Sequence, residues 1–160
     1  MKKQLIVGIL MVFAVAFLVG CAQGELGSKF PEKIGEYSKN NFIEMPLCPN
    51  MESFIHLNYW SDQGWASLYY TTYKTEEAAR KEYVSGKESG RKECEIVDIR
   101  GMCKTDFSYE TVRVSFGWRE GKKFKLVSIS KRKKVSESIE DIERQSKEKL
   151  IMFVDAFKGL

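Results

Sequence analysis

The sequence predicts an α+β domain with an antiparallel sheet of about five strands, in the order ββ-α-βββ-α, and two helices over one face of the sheet. Two segments alternate apolar and polar residues around short turns, which is typical of β-hairpins. Two other segments predict helices, one from its capping residues and the other from apolar residues at helical spacing. The apolar residues of each hairpin fall mainly on one side, which indicates a sheet that is buried on one face.

The first hairpin is FIHLNYW-SDQG-WASLYYTTY, residues 54–73. With residues 61–64 as the loop, Trp60 lies opposite Trp65 and His56 lies opposite Tyr69. One face is then apolar and the other is polar and aromatic. A slip of one residue would exchange the two faces.

The second hairpin is TVRVSFGWR-EG-KKFKLVSIS, residues 111–130, with Glu120 and Gly121 as a two-residue turn. This turn places Val114 opposite Val127 and Phe116 opposite Lys125. The segment CEIVDI, residues 94–99, predicts one further strand.

The first helix is predicted to start after Thr75 as the N-cap, with two glutamates in its first turn, and to end at Gly86 or Gly90. The second helix is predicted from about Ser136 to Phe157, since its isoleucine, leucine, valine and phenylalanine residues form one stripe.

The order of these elements loosely resembles the small α+β domains of secreted bacterial lipoproteins, including the PsbP/Mog1-like group. The resemblance is carried by the strand–helix junction LYYTTYKTEEAARKEY, the hairpin VRVSFGWREGKKFKLVSIS and the C-terminal helix. It implies a fold, and no functional residue is transferred from it.

The N-terminus has two lysines followed by 16 uncharged residues, from Leu5 to Gly20. Such a run is shorter than the ~20 residues of a spanning helix, and it is typical of a secretory signal peptide. Its end, Leu18-Val19-Gly20-Cys21, resembles the lipobox of bacterial lipoproteins. That resemblance implies cleavage before Cys21 and a diacylglycerol on the Cys21 sulfur. The alternative is a plain signal peptide, or an uncleaved anchor, beside a chance cysteine.

The predicted organisation is therefore a cleaved signal peptide at 1–20, a lipidated cysteine and tether at 21–29, and one globular domain at 30–160. The resemblance implies a protein held on the extracytoplasmic side of the cell membrane by acyl chains such as palmitate. In a cell with two membranes it implies the outer one, because Ala22 is not the aspartate that marks inner-membrane retention.

The sequence excludes most catalytic and metal-binding constellations. His56 is the single histidine among 160 residues, and no Ser or Cys stands in a nucleophile-elbow context. Metal-binding spacings and phosphate-binding glycine loops are absent from the sequence. We therefore expect no catalytic residue, no metal, no cofactor and no enzymatic activity.

Three cysteines remain if Cys21 is lipidated: Cys48, Cys94 and Cys103. One disulfide is expected, because an exported domain often folds in an oxidising compartment. If Cys94 begins a strand and Cys103 lies in the next loop, they are too far apart along the strand for a bond. Cys48 with one of the other two is then favoured, and Cys94–Cys103 and three free thiols remain alternatives.

Residues 119–134 contain eight basic residues and one acidic residue. Anionic lipid headgroups attract such a segment. The candidate contacts are Arg119, Lys122, Lys123, Lys131, Arg132, Lys133 and Lys134. The alternative is a solvated strand end and loop, and an extracytoplasmic location argues against nucleic acid as the partner.

The polar and aromatic face of the sheet is the second candidate surface, because exposed aromatic patches mark binding sites. Its residues are Phe54, His56, Trp60, Trp65, Tyr69 and Arg113. The alternative is that residues 30–50 cover this face and form a second small core.

These observations predict a non-enzymatic binding or accessory module of the cell envelope, anchored through Cys21. Its partners would be the membrane and either anionic headgroups or an envelope protein. The alternative is a structural envelope lipoprotein that acts through protein contacts alone and takes no small-molecule ligand.

Overall fold

The computed structural model describes residues 28–134 and 136–160, within which Glu32–Gly159 form one compact unit. This unit contains eight strands in one antiparallel sheet and two helices. In chain order the elements are β1 Lys33–Ile34, β2 Tyr37–Glu44, β3 Met51–Ser61, β4 Gly64–Tyr73, α1 Glu76–Glu88, β5 Lys92–Ile96, β6 Ile99–Phe107, β7 Thr111–Glu120, β8 Lys123–Arg132 and α2 Ile139–Phe157.

The α+β class stands, but the prediction of about five strands is wrong. The sheet has eight strands in the order β1-β2-β3-β4-β8-β7-β6-β5. Two of the additional strands, β1 and β2, come from the segment before residue 50, and they extend one edge of the sheet. The third is β6, which lies where the sequence predicts a loop. Strand β2 alternates too weakly to be recognised, because most of its side chains face solvent at this edge.

The register of the first hairpin is confirmed. Strands β3 and β4 pair His56 with Tyr69, Leu57 with Leu68 and Trp60 with Trp65. The apolar face that this register predicted is buried, with Ile55, Leu57 and Tyr59 at most 1% exposed.

The predicted register of the second hairpin is wrong by two residues. Val114 pairs with Ile129, and Phe116 pairs with Val127. The turn consists of Gly121 and Lys122, because Gly121 takes the left-handed conformation (φ 57°) at the first turn position. A shift of two residues keeps every side chain on its predicted face.

The helices pack on opposite faces of the sheet, so the prediction that both lie over one face is wrong. Helix α2 packs on the face of Tyr59, whose ring lies 5.3 Å from that of Phe153. Helix α1 packs on the other face, where Ala79 meets Tyr73 and Phe124 in a small separate core. The connection from β4 through α1 returns to the opposite edge of the sheet, which the alternation pattern alone does not reveal.

Both helices begin at a capping residue. The Thr75 hydroxyl accepts a hydrogen bond from the Ala78 amide at 3.1 Å, as predicted for α1. Ser138 accepts one from the Asp141 amide at 3.1 Å and so caps α2 two residues later than the predicted start.

The C-terminal end of α2 is held by a buried lysine of the sheet. Lys125 has no solvent exposure, and its Nζ donates to the Phe157 carbonyl at 2.9 Å and to Glu120 Oε2 at 2.7 Å. The last turn of α2 has no basic residue of its own, so Lys125 supplies the positive charge that the helix C-terminus favours. The indole of Trp118 donates to the second oxygen of Glu120 at 2.8 Å.

Burial determines the ionisation of this group. Desolvation lowers the pKa of Lys125 from its ordinary value, and the Glu120 carboxylate opposes that shift. Desolvation alone would raise the pKa of Glu120, but the hydrogen bonds from Lys125 and Trp118 lower it overall. The carboxylate therefore remains ionised beside the ammonium.

We predict that Lys125→Ala lowers the free energy of unfolding by about 3–5 kcal/mol, because it leaves Glu120 and the helix carbonyl without their partner. The double variant Lys125→Met with Glu120→Gln keeps the volumes and removes both charges, so it should cost clearly less. Lys122→Ala, in the neighbouring turn and exposed, is the matched control and should change stability by less than about 0.5 kcal/mol. Chemical denaturation of the full chain measures all three, and an equal effect of Lys125→Ala and Lys122→Ala would contradict the assignment.

Candidate ligand-binding site

The aromatic residues predicted for the sheet face are brought together. The rings of His56 and Tyr69 stack at 4.3 Å, and Phe54 lies 6.3 Å from Tyr69. Trp60 and Trp65 stack at 6.1 Å, and Trp60 is 52% exposed. Arg113 is exposed farther along the same face, where its Nε donates to the Ser130 hydroxyl at 3.2 Å.

Residues 32–50 do not form a layer over this face. They form β1 and β2 at the sheet edge, where Ile43 pairs with His56, and the loop that leads to β3. Neither of the two clefts beside helix α2 is lined by Phe54, His56 or Tyr69.

His56 lies in a partly desolvated position on this face. Its Nε2 is buried and has no hydrogen-bond partner among the described residues. Desolvation lowers the pKa of His56 from its ordinary value of 6.5, and a hydrogen bond with the Asn58 side chain opposes part of the shift. The neutral imidazole is thus the form that the fold accommodates.

The basic residues 119–134 do not form a single patch. Lys122 and Lys123 lie at one end of β8 and Arg132 to Lys134 lie at the other, about 30 Å away along the strand. Arg119 lies 3.8 Å from Glu76. The side chain of Lys131 is only 8% exposed and forms an ion pair with Glu137 at 3.0 Å, so it is not available to a surface.

The structure joins Cys94 to Cys103, with their Cα atoms 5.9 Å apart, and Cys48 is exposed and free. The pairing of Cys48 that the sequence favoured therefore does not form. The distance argument failed because β5 and β6 make a hairpin of their own, with Val97 and Asp98 as its turn. In that hairpin Cys94 lies opposite Gly101, two positions from Cys103.

The lipobox and Cys21 lie outside the described residues. Within residues 28–134 and 136–160, no helix is both long and apolar enough to span a membrane. The same residues contain no cluster of three or more His, Cys, Asp or Glu side chains placed to bind a metal ion.

A largely apolar cleft of about 660 Å³ lies between the β5–β6 hairpin and helix α2. Val114 and Leu150 are among its lining residues and are at most 2% exposed. The Cys94–Cys103 disulfide, Ile96, Val97 and the 47% exposed Ile151 also line it. Its volume falls within the range of ligand pockets, ~300–1,000 Å³, and its apolar lining is typical of them.

Three lysines and one glutamate also line this apolar cleft. Lys104 pairs with Asp106 and Lys147 with Glu143, each at 2.9 Å, whereas Lys92 has no ion pair among the described residues. The one acidic side chain of the lining, Glu95, lies 3.9 Å from Arg100. The lining therefore provides a free ammonium group beside an apolar interior.

The turn that carries Val97 is strained. Val97 and Asp98 both take positive φ angles, 51° and 61°, which a β-branched residue rarely adopts. Two-residue turns of this kind prefer Asn-Gly or Asp-Gly. A valine here costs backbone energy, and its side chain lines the apolar cleft.

Sequence reasoning missed this cleft. The signals present are the apolar turn IVDI, residues 96–99, and Ile151, which lies just beside the buried stripe of α2. Neither is distinctive without the β5–β6 pairing, which brings the turn toward the helix.

The chain matches no protein family, no curated protein and no solved structure in the three comparisons made. The resemblances to lipoproteins and to PsbP/Mog1-like domains stay predictions, and function is argued from the geometry.

We predict that acidification from about pH 7 to about pH 5.5 lowers the free energy of unfolding through His56. The unfolded chain binds a proton near pH 6.5 whereas the folded chain resists it, so stability is lost as pH falls below that value. His56→Gln removes this titration, so the free energy of unfolding should depend less on pH between about pH 7 and about pH 5.5. Denaturation curves of both chains measure the effect, and identical slopes would contradict it.

Proposed function

We propose that this protein is a lipid-anchored, extracytoplasmic binding module of the cell envelope without catalytic activity. Its ligand is an amphipathic molecule with an alkyl chain and an acidic head, taken into the apolar cleft. The observation that carries this proposal is the cleft itself, with its apolar lining and Lys92, which forms no ion pair with any other residue that the structure describes.

The chemistry of the lining supports this ligand class. An alkyl chain gains free energy in proportion to the apolar area removed from water, and Ile151 offers such area at the mouth of the cleft. The negative charge of an acidic head is attracted to the ammonium of Lys92. The disulfide supports the same site, because it ties β5 to β6 and so holds the hairpin wall in place.

The proposal that the protein has no catalytic activity rests on the surroundings of His56 and Lys125. His56 stacks on Tyr69, on the sheet face opposite to α2, and within the described part of the chain its ring is hydrogen-bonded to the Asn58 side chain and to no cysteine or carboxylate. The buried Lys125 is used to hold α2 in place. The anchor rests on the signal peptide and lipobox pattern alone.

The anchor is tested with Cys21→Ser in cells fed a palmitate analogue. We expect the full chain to be labelled and the variant to lose the label, because the acyl groups depend on the Cys21 sulfur. Cys48→Ser is the matched control, since Cys48 is the exposed cysteine of the described residues, and it should keep the label. Labelling that persists in Cys21→Ser would refute the anchor.

The apolar cleft is tested with Val97→Asn in the full chain held in lipid nanodiscs. Asparagine tolerates the left-handed turn, so the free energy of unfolding should rise by about 1 kcal/mol. A ligand that binds only the folded state stabilises it further, so added decanoate should raise the wild-type stability. That increment should shrink in Val97→Asn, because a polar side chain replaces part of the apolar wall.

Asp98→Asn is the matched control, since Asp98 shares the turn but not the cleft lining. It should leave the decanoate increment unchanged. A wild-type chain that decanoate does not stabilise would instead support the alternative, a structural envelope lipoprotein that takes no small-molecule ligand.

A further inference from the structure

A second cleft, of about 680 Å³ and polar in character, lies against α2 on the side of β1 to β4. The apolar cleft lies on the other side, toward β5 to β7, so the two are separate. The walls of the polar cleft are the β1–β2 turn at Glu36, the β3–β4 turn at Asp62 and Gln63, and helix α2 at Gln145 and Ser146.

Ser146 contributes an unsatisfied group to this polar cleft. The residue is 1% exposed, and its Oγ has no hydrogen-bond partner among the described residues. A buried hydroxyl without a partner costs stability, and a ligand that bonds to it removes that cost. Ser146 is therefore a binding group that the fold itself does not use.

Lys131 lines the same cleft and is almost buried. Its Nζ donates to Glu137 Oε1 at 3.0 Å and to the side-chain oxygen of Gln145. These two bonds orient the ammonium and leave its third proton available. Lys131 was predicted from the sequence to contact anionic surfaces, but its position gives it this enclosed role.

The charges of the lining disfavour an anionic ligand. Three carboxylates, those of Glu36, Asp62 and Glu148, face two ammonium groups, those of Lys131 and Lys149. Glu36 and Lys149 also pair with each other at 2.8 Å across the cleft. The lining thus offers acceptors and donors together with a small excess of negative charge.

A hydroxyl group both donates and accepts hydrogen bonds, so several hydroxyls on one small molecule complement such a lining. We propose that the polar cleft binds a neutral polyhydroxylated molecule, a sugar, with Ser146 and Lys131 as its buried contacts. This site is distinct in place and ligand from the apolar cleft of the proposed function. Either proposal can fail without the other.

Saturation-transfer NMR on the full chain in nanodiscs tests the proposal. The probes are glucose, galactose, mannose, N-acetylglucosamine and inositol, with sialic acid as the anionic comparison. We expect at least one neutral probe to bind in the millimolar range or tighter. A free sugar and the end of a glycan share this chemistry. Comparing dextran with glucose distinguishes them, because dextran gives transfer only if the cleft accepts the end of a polymer.

Ser146→Ala separates binding from folding. The variant should raise the dissociation constant of the sugar at least about fivefold, because one buried contact is lost. The free energy of unfolding should stay unchanged or rise, since an unpaired buried hydroxyl disappears. Ser136→Ala, an exposed serine outside the cleft, should bind as the wild type does.

The proposal would be overturned by the absence of transfer from every neutral probe, or by transfer from sialic acid alone. A Ser146→Ala chain that binds as tightly as the wild type would also overturn it. If Ser146→Ala does not fold, Ser146→Cys replaces it, because a thiol of similar size forms only weak hydrogen bonds, and unchanged affinity there has the same meaning.

Discussion

The position of helix α2 on the sheet is the constraint on which the other features depend, and two buried lysines of one strand maintain it. On the α2 face of β8 the side chains are Lys125, Val127, Ile129 and Lys131. Lys125 holds the C-terminal end of the helix through Phe157, and Lys131 holds its N-terminal half through Gln145. The apolar residues between them bury the stripe of the helix. Both clefts flank α2, so their walls depend on this placement.

The apolar cleft is formed by structure that is not optimal for stability. Val97 occupies a turn position that asparagine would fill at lower energy, and Ile151 leaves apolar surface in water. The Cys94–Cys103 bond ties the strained hairpin together. Departures from local preference that another interaction compensates are typical of functional sites. Here the departures and the disulfide meet in one cavity.

Several features could be predicted because they depend on neighbouring residues. The register of β3 and β4 follows from a turn between two alternating segments, and Thr75 caps α1 as its sequence context indicates.

Other features depend on contacts between distant segments. Lysine is usually a surface residue, so the sequence gives no sign that Lys125 and Lys131 are buried. Their burial follows from the packing of α2 on the sheet. Strand β6 was missed because its turn, Val97-Asp98, lacks the glycine or asparagine that marks hairpins. The candidate aromatic face was predicted with the correct register, but neither cleft beside α2 is lined by its central residues Phe54, His56 and Tyr69.

We infer that an alkyl chain enters the space between the β5–β6 hairpin and α2. The most direct measurement is photo-crosslinking of the full chain in nanodiscs with a palmitate that carries a diazirine at its chain end, followed by peptide mass spectrometry. We expect saturable modification of Val97, Leu150 or Ile151, which unlabelled palmitate competes away. Modification confined to the sheet face of Phe54 and Tyr69, or no saturable modification, would contradict it.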